Sequence, residues 1–187
     1  DYIVEGTNTG ELIDGAYFGD PEGDIVDGND NATGTNADHI WARGGNDTVL
    51  SGAGNDTIDA GTGDDSVDSG AGNDLINGLA GDDTILGGTG NDSIASGADN
   101  DSVMGQDGND SINAGSGADY VDGGEGNDNL AGATGDDTLV GDLGNDKFFY
   151  FAGDGNDTIS DFNFGATGTI SDGDATNNDF INLSAYY

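Results

Sequence analysis

The sequence predicts an all-β protein built as a stack of short parallel strands, because one nine-residue phrase recurs from residue 42 to residue 149. The sixth position of every phrase is Asp, and the eighth is always a large or branched apolar residue. A strand with one buried side chain cannot form a core alone, so it needs stacked neighbours to cover it. The pattern therefore predicts a solenoid in which the phrases stack.

The apolar eighth position predicts both the strands and the core. Neighbouring side chains of a strand point to opposite faces of the sheet, so one apolar residue flanked by polar ones supplies one buried side chain. The predicted core residues are Val49, Ile58, Val67, Ile76, Ile85, Ile94, Val103, Ile112, Val121, Leu130, Leu139 and Phe148.

Glycine predicts that the remaining positions of each phrase form turns, because Gly adopts positive φ at little steric cost. The second position departs from Gly at Arg43, Leu79, Gln106, Ala133 and Asp142. The fourth position departs only at Asp99, and Asp can itself enter the left-handed region. The fourth-position glycines are Gly45, Gly54, Gly63, Gly72, Gly81, Gly90, Gly108, Gly117, Gly126, Gly135 and Gly144.

The invariant Asp indicates calcium binding, since calcium takes six to eight oxygens from carboxylates and carbonyls and such turns offer both. A degenerate copy of the phrase contributes Asp38 and Ile40 before the array. Another follows the array after a two-residue slip, at residues 153–159. The candidate side-chain ligands are Asp38, Asp47, Asp56, Asp65, Asp74, Asp83, Asp92, Asp101, Asp110, Asp119, Asp128, Asp137, Asp146 and Asp157.

These phrases resemble the repeats-in-toxin (RTX) family, whose nonapeptide reads G-G-x-G-x-D-x-U-x with U apolar. The resemblance implies a right-handed parallel β-roll of 18-residue coils, in which six residues turn and bind calcium and three form a strand. It also implies ions between turns eighteen residues apart, held by the Asp side chains and by turn carbonyls near the fourth-position glycines. One row of Asp then runs from Asp47 to Asp137 and a second from Asp38 to Asp146. The first row has five gaps between neighbouring Asp residues and the second has six, which predicts about eleven calcium ions. Ion occupancy is left open at the turns that contain Arg43, Leu79, Asp99, Gln106, Ala133 or Asp142.

Composition supports the coupling of folding to a cation. The 187 residues carry 38 acidic and two basic side chains, with a formal charge of -36. Self-repulsion should keep the ion-free chain expanded, so we expect it to be largely disordered until calcium binds. The same charge argues against nucleic acid as a partner, because nothing here would neutralise phosphates. The sequence has no apolar run long enough to insert into a membrane.

Three segments are predicted: an N-terminal capping segment at 1–32, the calcium-binding roll at 33–149, and an aromatic-rich C-terminal capping segment at 150–187. Repeat arrays need such caps, and we expect Trp41 to be covered by the first of them. An additional calcium loop of non-repeat type is a further candidate within the first segment, with solvated turn acids as the alternative. Its acidic residues are Asp20, Glu22, Asp24, Asp27 and Asp30.

Catalysis finds little support in this sequence. It has no Cys and one His, His39, and a Ser nucleophile would need a base oriented beside it. The regular spacing of the carboxylates fits calcium better than a glycosidase pair. We therefore expect a binding protein and not an enzyme.

Three functions remain open at this point. The first is a calcium-dependent folding module of a secreted extracellular or cell-surface bacterial protein, with missing domains as partners; the lack of Cys is compatible with it. The second is a structural or adhesive protein that assembles with copies of itself. The third is an ice- or surface-binding roll, although the outward Thr series is interrupted. A weak outward apolar stripe that could contact another chain is formed by Leu50, Leu86, Met104 and Val140.

Overall fold

The computed structural model describes residues 2–5, 12–13, 37–161 and 180–182, and these residues form strands and turns without a helix. No segment in these ranges could therefore cross a membrane as a helix. The strands are β1 (Tyr2–Glu5), β2 (Leu12–Ile13), β3 (Asp38–Trp41), β4 (Thr48–Leu50), β5 (Thr57–Thr62), β6 (Ser66–Asp68), β7 (Leu75–Ala80), β8 (Thr84–Thr89), β9 (Ser93–Ala98), β10 (Ser102–Asp107), β11 (Ser111–Ser116), β12 (Tyr120–Gly126), β13 (Asn129–Thr134), β14 (Thr138–Val140), β15 (Leu143–Gly144), β16 (Lys147–Phe149), β17 (Thr158–Ile159) and β18 (Phe180–Asn182).

The strands form two parallel sheets because alternate phrases stack on opposite sides. The first sheet has the order β1-β3-β5-β7-β9-β11-β13-β16-β18, and the second has the order β17-β14-β12-β10-β8-β6-β4-β2, with β15 beside β12. Partners within the array are eighteen residues apart, as in Ile76↔Ile94 and Ile85↔Val103. The predicted parallel β-solenoid with 18-residue coils is confirmed.

The core lies between the two sheets and consists mainly of the eighth-position side chains. All twelve are buried, from Val49 to Phe148, with at most 2% of their surface exposed. Ile40 from the degenerate first copy joins them, and Ala42, Ala60 and Ala114 fill the space near the turns. Each coil thus buries about one large side chain per sheet, so the core depends on stacking.

Most central strands are longer than the three residues expected from the resemblance. β4, β6, β14 and β16 do have three residues, whereas β5, β7–β11 and β13 have six and β12 has seven. The reason is that pairing continues into the next turn: the Thr62 N–H donates to the Arg43 carbonyl at 3.0 Å, and the Gly45 N–H donates to the Thr62 carbonyl at 2.8 Å. The turns are therefore held by backbone hydrogen bonds as well as by any ion.

Strands from both flanking segments continue the two sheets. β1 pairs with β3 and β2 with β4 at one end, while β18 pairs with β16 and β17 with β14 at the other. The two-residue slip persists in the pairing of Thr138 with Thr158. The segment boundaries after residues 32 and 149 remain predictions. The additional acidic loop, from Asp20 to Asp30, lies outside the described residues.

Candidate metal centre

Every turn of the array keeps one backbone conformation, with positive φ at its second and fourth positions. Gly63 shows why glycine is favoured there: its φ is +124°, and a Cβ would collide with the Gly45 carbonyl of the preceding coil. Six other residues hold the same left-handed region at a steric cost. They are Arg43 (φ 80°), Leu79 (82°), Asp99 (80°), Gln106 (75°), Ala133 (68°) and Asp142 (61°). The imperfect turns therefore keep the conformation of the others.

The sixth-position aspartates are buried beneath these turns and form two rows. From Asp56 to Asp146, one carboxylate oxygen of each accepts a backbone hydrogen bond from the preceding coil. For example, the Asp74 N–H donates to Asp92 Oδ1 and the Asp92 N–H to Asp110 Oδ1, both at 2.8 Å. The other row is built in the same way, as in the bond of 2.8 Å from the Asp65 N–H to Asp83 Oδ1. The two rows predicted from the sequence are therefore present as two ladders.

The second carboxylate oxygen points into the roll. In six aspartates this Oδ2 is buried and accepts no hydrogen bond. Leaving a charged oxygen buried in this way is costly unless a proton or a cation accompanies it. The six are Asp65, Asp83, Asp92, Asp110, Asp119 and Asp128.

The space in front of this oxygen is bounded by the first residue of the same turn. A Cβ built on Gly87 would lie 2.7 Å from Asp92 Oδ2 and 2.9 Å from the Gly105 carbonyl oxygen of the next coil. A carboxylate oxygen and a carbonyl oxygen therefore converge on one small space. The role of this first position was not predicted from the sequence, although the position is always Gly, Ala or Ser in the twelve phrases.

Three turns place a serine hydroxyl in that space. Ser51 Oγ donates to the Ser69 carbonyl at 2.8 Å, and Ser69 Oγ donates to the Gly87 carbonyl at 2.5 Å. Burial raises the pKa of Asp74, and the nearby Ser69 hydroxyl reduces that rise. Burial likewise raises the pKa of Asp101, and the Ser96 hydroxyl reduces that rise. These turns differ chemically from those that begin with Gly.

Burial raises the pKa of the aspartates and so disfavours their ionised form. Desolvation raises the pKa of Asp83 and Asp92 to about 7, although the backbone N–H donors oppose the rise. Neighbouring carboxylates of the same row raise both values further. Asp65, Asp119 and Asp128 rise to about 6 for the same main reason. At neutral pH a nearby divalent cation would therefore relieve both desolvation and repulsion.

The donor set suits a hard cation. No group of three or more acidic, His or Cys side chains converges within the described ranges, so most ligands would have to be turn carbonyls. Carboxylate and carbonyl oxygens are the ligands of calcium, whereas thiolate and imidazole would favour transition metals. The unpaired Oδ2 atoms and the space that a Cβ would fill show that these turns fit calcium.

A second ladder lies on the outer side of the turns and was not anticipated from the sequence. At the fifth position, the Asn109 N–H donates to Asn91 Oδ1 at 2.8 Å and the Asn127 N–H to Asn109 Oδ1 at 2.9 Å. On the other row the fifth position is Asn, Asp or Ala, and the Asn and Asp side chains accept the same kind of bond, as in the bond of 2.8 Å from the Asn100 N–H to Asp82 Oδ1. These bonds fix the spacing of successive turns. The uninterrupted series is Asn55, Asn73, Asn91, Asn109, Asn127 and Asn145.

The degenerate copy of the phrase that follows the array continues the aspartate ladder, although it is displaced by two residues. Asp157 is only partly buried, and its Oδ1 accepts the Asp137 N–H at 3.1 Å. Asp161, which was not among the candidates, accepts the N–H groups of Gly141 at 2.9 Å and Asp142 at 2.5 Å. The last turn of the second row is thereby capped by a carboxylate.

Comparison with protein families agrees with this geometry. The model of the RTX calcium-binding nonapeptide repeat matches residues 18–58, 32–67, 59–94, 95–130 and 122–159, so the matches together cover most of the chain. No curated protein matches the sequence. On the repeat, the two aspartate ladders and this match, the chain belongs to the RTX calcium-binding nonapeptide repeat family.

Proposed function

We propose that calcium ions bound between successive turns drive the folding of this chain, and that it serves as a calcium-dependent folding module of a secreted protein. The single observation that carries this proposal is the series of buried Oδ2 atoms without a hydrogen-bond donor, repeated along both rows. A calcium ion would supply the positive charge that this buried series needs. Folding and binding would then be one equilibrium.

The proposed ligands are the sixth-position carboxylates together with carbonyls of the turns. The side chains are those from Asp38 to Asp146 in steps of nine residues, with Asp157 as a less buried addition. The gaps in the two rows correspond to about eleven ions. Turns with a non-Gly second or fourth position remain part of the proposal, because they keep positive φ.

An extracellular setting is part of the proposal because of the concentrations involved. Extracellular calcium modules bind in the range of about 10⁻⁴ to 10⁻³ M, far above the calcium level inside a cell. A chain with a formal charge of -36 would stay expanded inside and fold outside, which suits export before folding. Missing domains of a larger protein, or other copies of the chain, would be its protein partners.

The proposal assigns a binding role and no reaction to the described residues. Of the outward stripe on the second sheet, Leu50 is 42% exposed, whereas Leu86, Met104 and Val140 are only partly exposed. Single exposed apolar residues are ordinary on protein surfaces. Assembly and ice binding are therefore left as outcomes of the experiment.

The deciding experiment is a calcium titration of the purified chain, followed by circular dichroism and light scattering on the same samples. A transition from coil to sheet at constant monomer mass is the expected result, with magnesium at equal concentration giving a much weaker transition. Calorimetry or equilibrium dialysis then counts the ions.

Two results would contradict parts of the proposal. Full sheet signal in excess chelator at neutral pH would remove the coupling of folding to calcium. A transition accompanied by growing particles would favour the structural role over the folding module.

A further inference from the structure

A shallow hollow of about 260 Å³ lies on the outer face of the first sheet and is lined by Trp41, Arg43, Asp59, Gly61 and Leu79. It lies apart from the buried aspartates, because its lining comes from outward positions of β3, β5 and β7 and the turn after β3. Trp41 is 38% exposed and Leu79 is 51% exposed. The expectation that the N-terminal segment covers Trp41 is therefore wrong for much of this side chain.

The coil geometry explains the shape of the hollow. Trp41 is the register partner of Asp59, and Gly61 is the partner of Leu79. Gly61 lies between Arg43 on one side and Leu79 on the other, and it contributes only backbone to the lining. These two walls are two coils apart, about 10 Å at the usual strand spacing.

Equivalent positions in other coils act as an internal comparison, since the fold repeats there. Farther along the first sheet, the ninth and second positions are Ala95 with Gly97 and Asn113 with Gly115, which provide no walls. The hollow instead gathers the chain's single Trp and one of its two cations. Such a concentration of rare residues at one place is unexpected for a purely structural repeat.

Two of the lining residues also hold unfavourable backbone conformations. Arg43 has φ of 80° and Leu79 has φ of 82°, where the repeat otherwise prefers Gly. A non-Gly residue in this region costs about 1–2 kcal/mol. The same region is held outside the hollow by Asp99, Gln106, Ala133 and Asp142, so the hollow is distinguished by the side chains that line it and not by its backbone.

We propose that this hollow binds a neutral sugar ring. The indole face of Trp41 can cover the apolar face of such a ring, as amphipathic aromatics do in binding sites. Asp59 can accept hydrogen bonds from hydroxyl groups, and the Asn77 side chain holds its Oδ1 at 2.6 Å. Arg43 is also in the lining, and its exposed side chain carries several N–H donors.

Charge disfavours anionic ligands, because the chain's charge of -36 repels an anionic sugar. A neutral ring with several hydroxyl groups matches both the apolar and the polar parts of the lining.

The test uses the full chain in calcium, after circular dichroism has shown that it is folded. Neutral hexoses and their short oligosaccharides, with uronic acids of the same ring configuration for comparison, are titrated while Trp41 fluorescence is recorded. A saturable change with at least one neutral sugar is expected, and the matching uronic acid should bind more weakly. Ligand-observed NMR provides a readout that does not depend on Trp, so Trp41→Ala can be tested and should abolish binding.

Matched variants separate the hollow from general effects of charge. Asp59→Asn should weaken sugar binding about tenfold or more, because a hydrogen bond to a charged group is worth about 1.5–3 kcal/mol. Asp68→Asn removes the same charge from the ninth position of the adjacent phrase, on the opposite sheet, and should leave binding unchanged. Three results would each overturn the proposal. They are the absence of a saturable response to any neutral sugar, an equal loss of sugar binding in both variants, and shielding of Trp41 from acrylamide in the sugar-free chain. Since every sample is first checked for calcium-induced sheet, failure of calcium-dependent folding would be seen separately.

Discussion

A single aspartate of the array shows why we propose a cation at each turn. Asp92 is 2% exposed, and its Oδ1 accepts the Asp74 N–H at 2.8 Å. Its Oδ2 is buried without a donor and faces the first residue of its own turn. The carboxylate thus stabilises the stack through one oxygen and destabilises it through the other, unless positive charge is supplied.

Replacing this charge should have opposite effects with and without calcium. In Asp92→Asn the side-chain carbonyl can still accept the Asp74 N–H, but the anionic ligand is lost. In calcium we expect the free energy of unfolding to fall by about 2 kcal/mol and the calcium midpoint to rise. In chelator the sheet signal should stay equal or increase, because a buried charge has been removed.

Circular dichroism during calcium titration and thermal unfolding measures both effects. Asp107→Asn is the control, since Asp107 is exposed at the third position of a turn. Equal responses of the two variants would show that net charge, and not the buried ligand, controls the calcium dependence.

The raised pKa values predict that acid partly replaces calcium. In the folded chain the pKa of Asp83 and Asp92 is about 7, above the ordinary value of 3.8, mainly because of burial. The folded state then binds more protons than the unfolded state, so its stability is greatest below about pH 4 and is lost as pH rises through 6 to 7. In excess chelator, lowering the pH from 7.5 to about 5 should therefore increase the sheet signal.

The same shifts predict that calcium binding releases protons near neutrality, so the calcium midpoint should rise as the pH falls from about 7. Light scattering must accompany these measurements, because the sequence pI is about 4.1 and aggregation becomes easier near it. A chelated monomer with unchanged circular dichroism from pH 7.5 to 5 would contradict the assigned burial of the carboxylates.

At the scale of the turn, the backbone conformation sets which substitutions are tolerated. Ala133 holds φ of 68°, and Gly115 one coil earlier holds φ of 107° beneath the Gly97 carbonyl. Ala133→Gly should raise the free energy of unfolding in calcium by about 1 kcal/mol, because the steric cost disappears. Gly115→Ala should lower it by more than this, since its Cβ would collide with backbone.

Ala131→Gly provides the matched control for these turn variants. Ala131 lies in the same strand, β13, but outside the residues with positive φ. Gly there should destabilise by about 0.5–1 kcal/mol, as in any strand interior. If Ala133→Gly and Ala131→Gly destabilise equally in chemical denaturation, the left-handed turn assigned to Ala133 is wrong.

Much of this element-level structure could be predicted, because it follows from one-residue rules repeated along the chain. The period of Ile76, Ile94 and Ile112 determined the strands, their register and the core. The length of the strands could not be predicted, because it depends on carbonyls such as that of Arg43 finding donors in the next coil. The asparagine ladder and the exposure of Trp41 were missed for a related reason: both depend on which side chains the 18-residue stacking makes neighbours.

The whole molecule behaves as a nearly one-dimensional stack, in which each coil contacts mainly the coils before and after it. One coil buries little more than one large side chain on each sheet, such as Ile94 and Val103. No coil can hold itself together with so small a core, so order must spread through pairing, stacking and bound ions. Stability should therefore depend on register and on the number of coils more than on the identity of any single coil.

Removing a full coil tests this view of the molecule. Deletion of residues 87–104 joins Leu86 to Gly105 and keeps both the nine-residue phrase and the alternation between sheets. We expect the shortened chain to fold cooperatively in calcium, with two fewer ions bound and a modestly higher calcium midpoint. Equilibrium dialysis counts the ions, and circular dichroism follows the transition.

Deletion of residues 87–98 is the contrasting variant, because twelve residues are not a multiple of the phrase. It joins Leu86 to Asp99, so the next turn lacks its first three residues and the Oδ2 of Asp101 loses the first residue of its own turn. This shorter deletion should lower the sheet signal and broaden the calcium transition, although it removes fewer residues. If both deletions fold equally well, stability does not depend on the register of the coils. If neither folds, the stack depends on the particular coil removed, and the repeating units are not interchangeable.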